Sequence, residues 1–342
     1  MRTPNPTTTV WWHFTRDAVV AGLVAGAVLV SFVAAADPYG LRAAPGHPPG
    51  PIVDSNQRLS YPAIARGGAF DAAVFGTSTA RLLDPAALDA AFGARFANLA
   101  VNAATPDEQL RLAALFLARR PVKAVLFGLD APWCVAHPAA RTEHAFPDWL
   151  YAPGAPLGVL RQVNLRGLTA AANAVRVRFG FGSPRIRADG YGVFTPPEET
   201  YDLGRARAHI AAGTGDPEAP ADPPDAPFPA LDRLDAALAA LPPETRKIVA
   251  FMPVHVRAQG RPGTAAGLRE AACKARVAAI GADRNTLVVD FRRPSSVTTQ
   301  DANYWDALHY RLPVAGRIVA GLEGAAETGA DAPDGFYRVL AR

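Results

Sequence analysis

Lysine, cysteine and long apolar runs are scarce in this chain of 342 residues. Of its 35 basic residues only three are lysines, and the arginines are spread along the chain without a run of five or six. Nucleic-acid-binding proteins usually concentrate basic charge in a patch or stripe, so this dispersal argues against a nucleic-acid partner. A charged fraction of 19% beside a hydrophobic fraction of 49% also excludes an intrinsically disordered chain.

The two cysteines, Cys134 and Cys273, are too few for a disulfide scaffold and lack the spacing of a metal site. Two alternatives stay open for them, one disulfide in an oxidising compartment or two unpaired buried thiols. His137 and His144 are not accompanied by the cysteine or carboxylate pattern of a zinc site. No glycine-rich phosphate loop is present either. The sequence therefore predicts neither a metal ion nor a cofactor.

Only one segment, residues 18–36, is apolar enough to span a membrane, which excludes a multi-pass protein. As a helix this uncharged run would be about 28 Å long, close to the hydrocarbon thickness of a bilayer. Arg2 and Arg16 precede it, and Trp11 and Trp12 lie where an interfacial aromatic belt would be. We therefore expect the run to bind the lipid bilayer as a single-pass anchor in the inner (cytoplasmic) membrane.

This orientation places residues 1–17 in the cytoplasm and the rest of the chain in the periplasm or another extracytoplasmic space. A cleaved signal peptide and a secreted form are the alternative, because Ala34-Ala35-Ala36 offers a small-residue cleavage site. The apolar run is longer than the usual core of a signal peptide, which favours retention. A buried helix of a soluble protein is the third interpretation.

The rest of the chain divides into a linker at 37–68, rich in proline and glycine, and a domain at 69–342. Within the domain, residues 131–230 interrupt the regular pattern and are interpreted as an insertion or cap. Short apolar runs predict strands at about 73–77, 95–101, 123–129, 247–254 and 286–291. Amphipathic segments predict helices at about 84–93, 106–119, 157–179, 231–241, 264–280 and 312–325. This alternation predicts an α/β fold, a three-layer αβα sandwich around a five-stranded parallel sheet.

Sites in open parallel sheets form at the carboxyl ends of the strands. The first predicted strand ends in Gly76-Thr77-Ser78, and the second ends in an asparagine-containing turn. Asp306 and His309 precede the last predicted helix. This set resembles the SGNH (GDSL-like) hydrolase superfamily, in particular its membrane-anchored exported branch that includes proteins of cell-envelope polymer acylation. The resemblance covers roughly residues 70–130 and 246–325, and it implies a flavodoxin-like fold.

The resemblance implies a role for each matching residue. Ser78 would be the nucleophile, His309 the general base, and Asp306 the residue that orients His309. Ala103 stands where the family has a glycine whose backbone amide helps to hold the oxyanion. Considered alone, a serine in a Gly-x-Ser sequence such as Ser78 is more often the cap of the following helix. Asp306 and His309, three residues apart, are then explained as a surface pair or a helix cap.

Asp130 departs from the family pattern, because the matching position usually carries an asparagine that donates to the oxyanion. An ionised carboxylate there would repel the developing negative charge. Four explanations stay open: Asp130 points away, Asp130 is protonated, Asn102 or Asn98 substitutes for it, or the site is weak or inactive.

Two further side chains are candidates for contacting substrate. Arg81 follows the nucleophile block and could meet an anionic substrate, although a solvated arginine at a helix start is the default. His255 follows the fourth predicted strand and is interpreted as a structural or substrate-lining residue rather than the base.

The sequence thus predicts a membrane-anchored extracytoplasmic serine esterase or O-acyltransferase. The expected substrate is an acyl ester, with acetyl the expected group, on a cell-envelope carbohydrate or a small molecule. The alternative is an inactive protein of the same fold that binds a polysaccharide or an envelope assembly partner, and Asp130 is the feature that favours it.

Overall fold

The structure, a computed structural model, describes residues 6–118, 121–140, 146–152, 158–213 and 221–342, with side chains from residue 10 onward. These residues contain six strands: β1 (Ala72–Phe75), β2 (Phe96–Asn98), β3 (Ala124–Leu129), β4 (Arg246–Phe251), β5 (Leu287–Asp290) and β6 (Arg338–Ala341). They also contain helices α1 (Pro6–Ala36), α2 (Gln57–Gly67), α3 (Pro85–Phe92), α4 (Pro106–Leu117), α5 (Asp148–Tyr151), α6 (Gly158–Arg161), α7 (Leu165–Arg178), α8 (Leu203–Ala212), α9 (Pro229–Ala239), α10 (Ala265–Asp283) and α11 (Leu312–Thr328).

The six strands form one mixed sheet in the order β2-β1-β3-β4-β5-β6. The first five are parallel, as predicted, and β6 pairs antiparallel with β5. The prediction of a purely parallel five-stranded sheet is therefore wrong at this edge. Strand β6 is short and partly exposed, so it lacks the continuous apolar run that identifies the inner strands.

Helices cover both faces of the sheet, because successive strand side chains point to opposite sides. On one face, Phe75 and Phe127 pack in a core with residues of α2, α4, α9 and α10. On the other, Val74 and Leu126 pack in a second core with residues of α3 and α11. This confirms the expected α/β class.

The first predicted helices begin where their capping residues place them. The Asp84 side chain accepts from the Ala86 amide at the start of α3, and Thr105 and Glu108 form a capping box at the start of α4. Arg119, the predicted end of the second of these helices, lies outside the described residues.

The helix predicted at 157–179 is two helices, α6 and α7, in the described part of that range, and residue 157 lies outside it. Asn164 interrupts it, because its side chain accepts from the Gly167 amide and starts α7 anew.

Residues 37–68, predicted as a linker, also differ from expectation. Helix α2 occupies residues 57–67 of this segment, and Tyr61 and Ile64 are buried in the main core. The Asn56 side chain caps the helix by accepting from the Arg58 amide. This part of the segment is therefore integral to the domain.

Helix α1 contains a stretch, Val10–Ala36, that is long and apolar enough to cross a membrane. Most of its large apolar side chains are exposed, among them Leu23, Val24 and Val28. Only its last turn packs on the body, where Val33 and Ala36 are buried against Ala171 of α7. Helix α1 is thus a projecting apolar helix rather than a core helix.

Cys134 and Cys273 form a disulfide. Cys134 closes a short 3-10 turn after β3, and Cys273 lies in α10. Of the two alternatives that the sequence leaves open, the structure has the paired one.

Candidate active site

Ser78 lies at the carboxyl end of β1, in the turn that leads into a 3-10 segment, Ser78–Ala80. Gly76 makes this turn possible, since a Cβ at that position would come within 2.8 Å of the Ala80 Cβ and 3.1 Å of the Gly128 carbonyl oxygen. The close approach of β1, β3 and the turn fixes where the serine is presented.

Three side chains from two distant segments meet in one hydrogen-bonded chain. Ser78 Oγ lies 2.9 Å from His309 Nε2, and His309 Nδ1 lies 2.8 Å from Asp306 Oδ2. With the proton of the ring on Nδ1, donated to the carboxylate, Nε2 is free to accept the proton of the serine hydroxyl. This arrangement is able to activate Ser78 as a nucleophile.

Asp306 is held by its own loop. The backbone amides of Leu308 and His309 each donate to its Oδ1 at 2.8 Å. Burial alone would raise the pKa of the Asp306 carboxyl, but the hydrogen bonds from the His309 ring and from these amides lower it. The carboxylate therefore stays ionised and fixes the orientation of the ring.

The loop that carries Asp306 and His309 is tied to the turn that carries Ser78, residues 76–80, called the nucleophile turn below. Tyr304 and Tyr310 pair across its base, and the buried Tyr310 hydroxyl donates to the Thr79 carbonyl oxygen. The two halves of the candidate triad are thus joined by packing as well as by the Ser78–His309 contact.

Ala103 follows β2 with a φ of 50°, in the left-handed region that favours glycine. An alanine there costs roughly 1–2 kcal/mol relative to a right-handed conformation, so the surrounding structure must impose it. Arg58 does so from α2, donating to the carbonyl oxygens of Asn102 and Ala103 at 3.1 and 3.3 Å. Arg58 also forms a buried ion pair with Glu108 at 2.7 Å.

Arg81 is buried, and its Nη1 donates to Asn102 Oδ1 at 3.1 Å. Its guanidinium also lies over the Phe194 ring, at 4.8 Å from the centroid. Phe194 in turn packs edge-on against the His309 ring at 5.4 Å. Arg81 therefore connects the Asn102 turn to the cap and is not the solvated helix-start arginine considered above.

The Asp130 side chain is hydrogen-bonded to the nucleophile turn. Its carboxylate accepts from the Thr77 hydroxyl and, at 2.8 Å, from the Thr79 hydroxyl. Arg292 Nη2 lies 3.3 Å from the same carboxylate and also donates to the Leu129 carbonyl oxygen. The structure thus gives the Asp130 carboxylate hydrogen-bond partners within the protein.

Asn98 is likewise occupied, because its side-chain amide donates to the Ala80 and Leu83 carbonyl oxygens. Of the two asparagines considered as substitutes for Asp130, Asn98 therefore has a structural role. Asn102 lies in the Ala103 turn, with its side-chain oxygen bound by Arg81.

His255 is buried next to the loop of Asp306 and His309. Its Nδ1 accepts from the Arg257 amide, its Nε2 lies 3.1 Å from Asp301 Oδ1, and its own amide donates to the Ala307 carbonyl oxygen. Burial lowers the pKa of His255, although the Asp301 carboxylate acts in the opposite direction. These contacts correspond to the structural interpretation of His255 rather than to the substrate-lining one.

Three further residues near the site, Phe194, Arg58 and Arg292, are not predicted from the sequence. Phe194 lies in the cap, where no periodic pattern or strand end marks a position near the site. Arg58 lies in the segment interpreted as a linker, and Arg292 follows β5 as one of many arginines. None of the three carried a signal that distinguishes it in the sequence alone.

Within the described residues, no group of three or more His, Cys, Asp or Glu side chains is arranged to hold a metal ion. His144, one of the two histidines considered for such a site, lies outside those residues. No known protein family, no curated protein and no solved structure matches this chain.

Proposed function

We propose that this protein is a membrane-anchored extracytoplasmic serine esterase or O-acyltransferase of the SGNH (GDSL-like) type. The observation that carries the proposal is the hydrogen-bonded series of Ser78, His309 and Asp306 at the carboxyl edge of the sheet. The substrate that we propose is an acyl ester, acetyl in the first instance, on a cell-envelope carbohydrate.

In the first half of the reaction, Ser78 Oγ attacks the acyl carbonyl carbon while His309 Nε2 takes the hydroxyl proton. The backbone amides of Ser78 and Ala103 would donate to the resulting oxyanion. When the tetrahedral intermediate collapses, the bond to the carbohydrate oxygen breaks, and His309 returns its proton to that oxygen. An acyl group on Ser78 and a free hydroxyl remain.

In the second half, water or another hydroxyl attacks the acyl-serine, with His309 again accepting the proton of the attacking group. Ser78 Oγ leaves and is reprotonated by His309. Water gives hydrolysis and a sugar hydroxyl gives acyl transfer, so the same residues serve both outcomes.

Two features support an anchored, exported protein. The burial of Val33 and Ala36 against Ala171 gives the end of α1 a place on the folded body, which supports its retention. The disulfide between Cys134 and Cys273 is of a kind that persists mainly in oxidising compartments.

The test is reaction of the full chain, in detergent, with a serine-directed fluorophosphonate probe. We expect Ser78→Ala to abolish labelling and His309→Ala to slow it by about 10²–10⁴-fold, the usual contribution of general-base help. Ser183→Ala, at an exposed serine outside the site, is the matched control and should label like the parent. A folded parent protein that does not label would overturn the enzyme proposal in favour of a binding protein.

Product analysis then separates the two reactions. Incubation with an activated acetyl ester, with and without a carbohydrate acceptor, shows whether the acyl group passes to water or to sugar. Transfer that depends on Ser78 and on the acceptor identifies a transferase, and release of free acetate unaffected by the acceptor identifies an esterase.

A further inference from the structure

Helices α6 and α7 lie against the last turn of α1. Val33 and Ala36, at the end of the uncharged run 18–36, are buried on Ala171 in the middle of α7. If the run of about 28 Å spans the hydrocarbon layer, its end lies at the bilayer surface. With α1 placed in this way, the contact of Val33 and Ala36 with Ala171 puts α7 at the level of the lipid headgroups.

Large apolar side chains are exposed at both ends of α7. Leu165 is 84% exposed, Phe179 75%, Phe181 72%, and Leu160 of α6 53%. Outside α1, no other large apolar side chain in the described part of the chain is more than half exposed. Several large apolar side chains exposed in one region are typical of a surface that contacts a membrane or another molecule.

The same region is basic. Residues 158–188 include six arginines and neither aspartate nor glutamate, although Arg187 is paired with Asp84 and with Asp189 just beyond the range. Arg161, Arg166, Arg176, Arg178 and Arg185 are all exposed. Asp54 neutralises Arg166 through a bidentate pair at 2.8 Å, so the excess positive charge belongs to the other four.

Two adjoining clefts open on this surface. One, of about 620 Å³, is lined by residues that include Arg166, Arg185 and Leu165, and the other, of about 300 Å³, by residues that include Arg176, Arg185 and Phe181. Each cleft thus places a guanidinium, which suits phosphate oxygens, beside an exposed apolar side chain. Basic and apolar groups side by side are typical of a surface that lies in a bilayer interface.

We propose that this face, formed by α6, α7 and the loop 179–185, rests on anionic phospholipid headgroups of the leaflet from which α1 emerges. The inference rests on the proposed anchoring by α1 and adds a second membrane contact to it. Together the two contacts hold the catalytic body in one orientation on the membrane, where a single helix would let it swing.

The test uses spin labels on the full chain reconstituted in vesicles. Both native cysteines are in the disulfide, so one introduced cysteine is the only free thiol in each variant. Leu165→Cys and Phe181→Cys probe the face, Leu268→Cys at a half-exposed leucine of α10 is the matched control, and Val24→Cys probes α1. Accessibility to oxygen, which enters lipid, is compared with accessibility to a water-soluble nickel chelate.

In vesicles of phosphatidylglycerol and phosphatidylcholine, we expect labels at 165 and 181 to lose nickel accessibility several-fold relative to the label at 268. The loss should shrink in pure phosphatidylcholine, and in phosphatidylglycerol vesicles when Arg161, Arg176 and Arg178 are changed to glutamine.

Labels at 165 and 181 that behave like the label at 268, with the label at 24 buried in lipid, would overturn this inference alone. A label at 24 open to nickel would instead overturn the anchoring on which it rests. Protection at 165 and 181 that requires added polygalacturonate, a soluble anionic polysaccharide, would reassign the face to a polymer.

Discussion

Asp130 connects three parts of the site through one carboxylate. It accepts from the threonine hydroxyls on either side of Ser78 and pairs with the buried Arg292. A carboxylate with these contacts holds the nucleophile turn in place and offsets the charge of the arginine. An aspartate at this position is therefore compatible with an active site.

Asp130→Asn tests this role. The change leaves Arg292 without its buried counter-charge, so we expect a loss of at least about 1–3 kcal/mol in the free energy of unfolding. Fluorophosphonate labelling should not become faster, since the new amide faces the threonines and Arg292 rather than the oxyanion. Thermal denaturation and the labelling rate are the measurements, and faster labelling would show that the carboxylate had opposed the reaction.

His255 makes the loop of Asp306 and His309 sensitive to acid. The unfolded chain binds a proton at this histidine below a pH of about 6.5, whereas burial lowers its pKa in the folded chain. Between these two pKa values the unfolded state binds more protons, so stability rises with pH. The contribution of neutral His255 to the free energy of unfolding is complete above about pH 6.5. It is lost as the pH falls toward the pKa of His255 in the folded protein.

We therefore expect the melting temperature to fall as the pH is lowered below about 6.5, and to fall less in His255→Gln. His47→Gln, at an exposed histidine, is the control and should follow the parent protein. Equal pH dependence in the parent and in His255→Gln would contradict this account.

At the residue scale, the strand-end rule, combined with the family resemblance, selected Ser78, Asp306 and His309 from sequence, and the structure brings the three together. It could not find Phe194 or Arg58, because their positions depend on how the cap and α2 fold back onto the sheet. The contacts of Asp130 could not be predicted either, because the sequence does not indicate which side chains will contact a carboxylate at a strand end.

At the scale of elements, helix α2 supports the turn of Asn102 and Ala103 through one side chain. Arg58 donates to both carbonyl oxygens and pairs with Glu108 in the first turn of α4. The ion pair is almost fully buried, so removing one partner leaves an uncompensated charge. The strained Ala103 would also lose the donors that hold it.

Arg58→Met should therefore lower the free energy of unfolding by roughly 3–5 kcal/mol and slow fluorophosphonate labelling. In the double variant with Glu108→Gln, we expect most of the stability to return because no buried charge is left, while labelling stays slow. Arg111→Met, at a half-exposed arginine of α4, should change stability by less than about 1 kcal/mol. If the double variant recovers both stability and labelling, Arg58 has no positioning role.

Element prediction succeeded where local patterns decide and failed where tertiary packing does. The five parallel strands are short and mostly apolar, and α3 and α4 carry explicit caps. Helix α2 was missed because Pro62 lies inside it, and an internal proline usually ends a helix. Strand β6 was missed because it forms by pairing with the edge of β5, and the local sequence gives no signal of that pairing.

At the scale of the whole molecule, the disulfide joins the start of the cap to α10 across 139 residues of sequence. Both cysteines are buried in the core on the α10 side of the sheet. The cross-link therefore restricts the unfolded chain over a long loop that contains the cap, α9 and β4.

Replacing both cysteines by serine should lower the free energy of unfolding by roughly 2–5 kcal/mol. The melting temperature of the full chain in detergent measures this, and reduction of the parent protein with dithiothreitol should give a similar loss. An unchanged melting temperature in both experiments would contradict the expected contribution of the cross-link.

The same bond sets a requirement for how the protein is made. Cys134 is synthesised well before Cys273, 139 residues later. Its thiol therefore stays reduced and unpaired until the cap, β4 and Cys273 have been synthesised. Because the chain has two cysteines, it has one intramolecular pairing, and no wrong one within a single chain. Maturation therefore needs an oxidant but no disulfide isomerase, and its characteristic error is a cross-linked pair of chains.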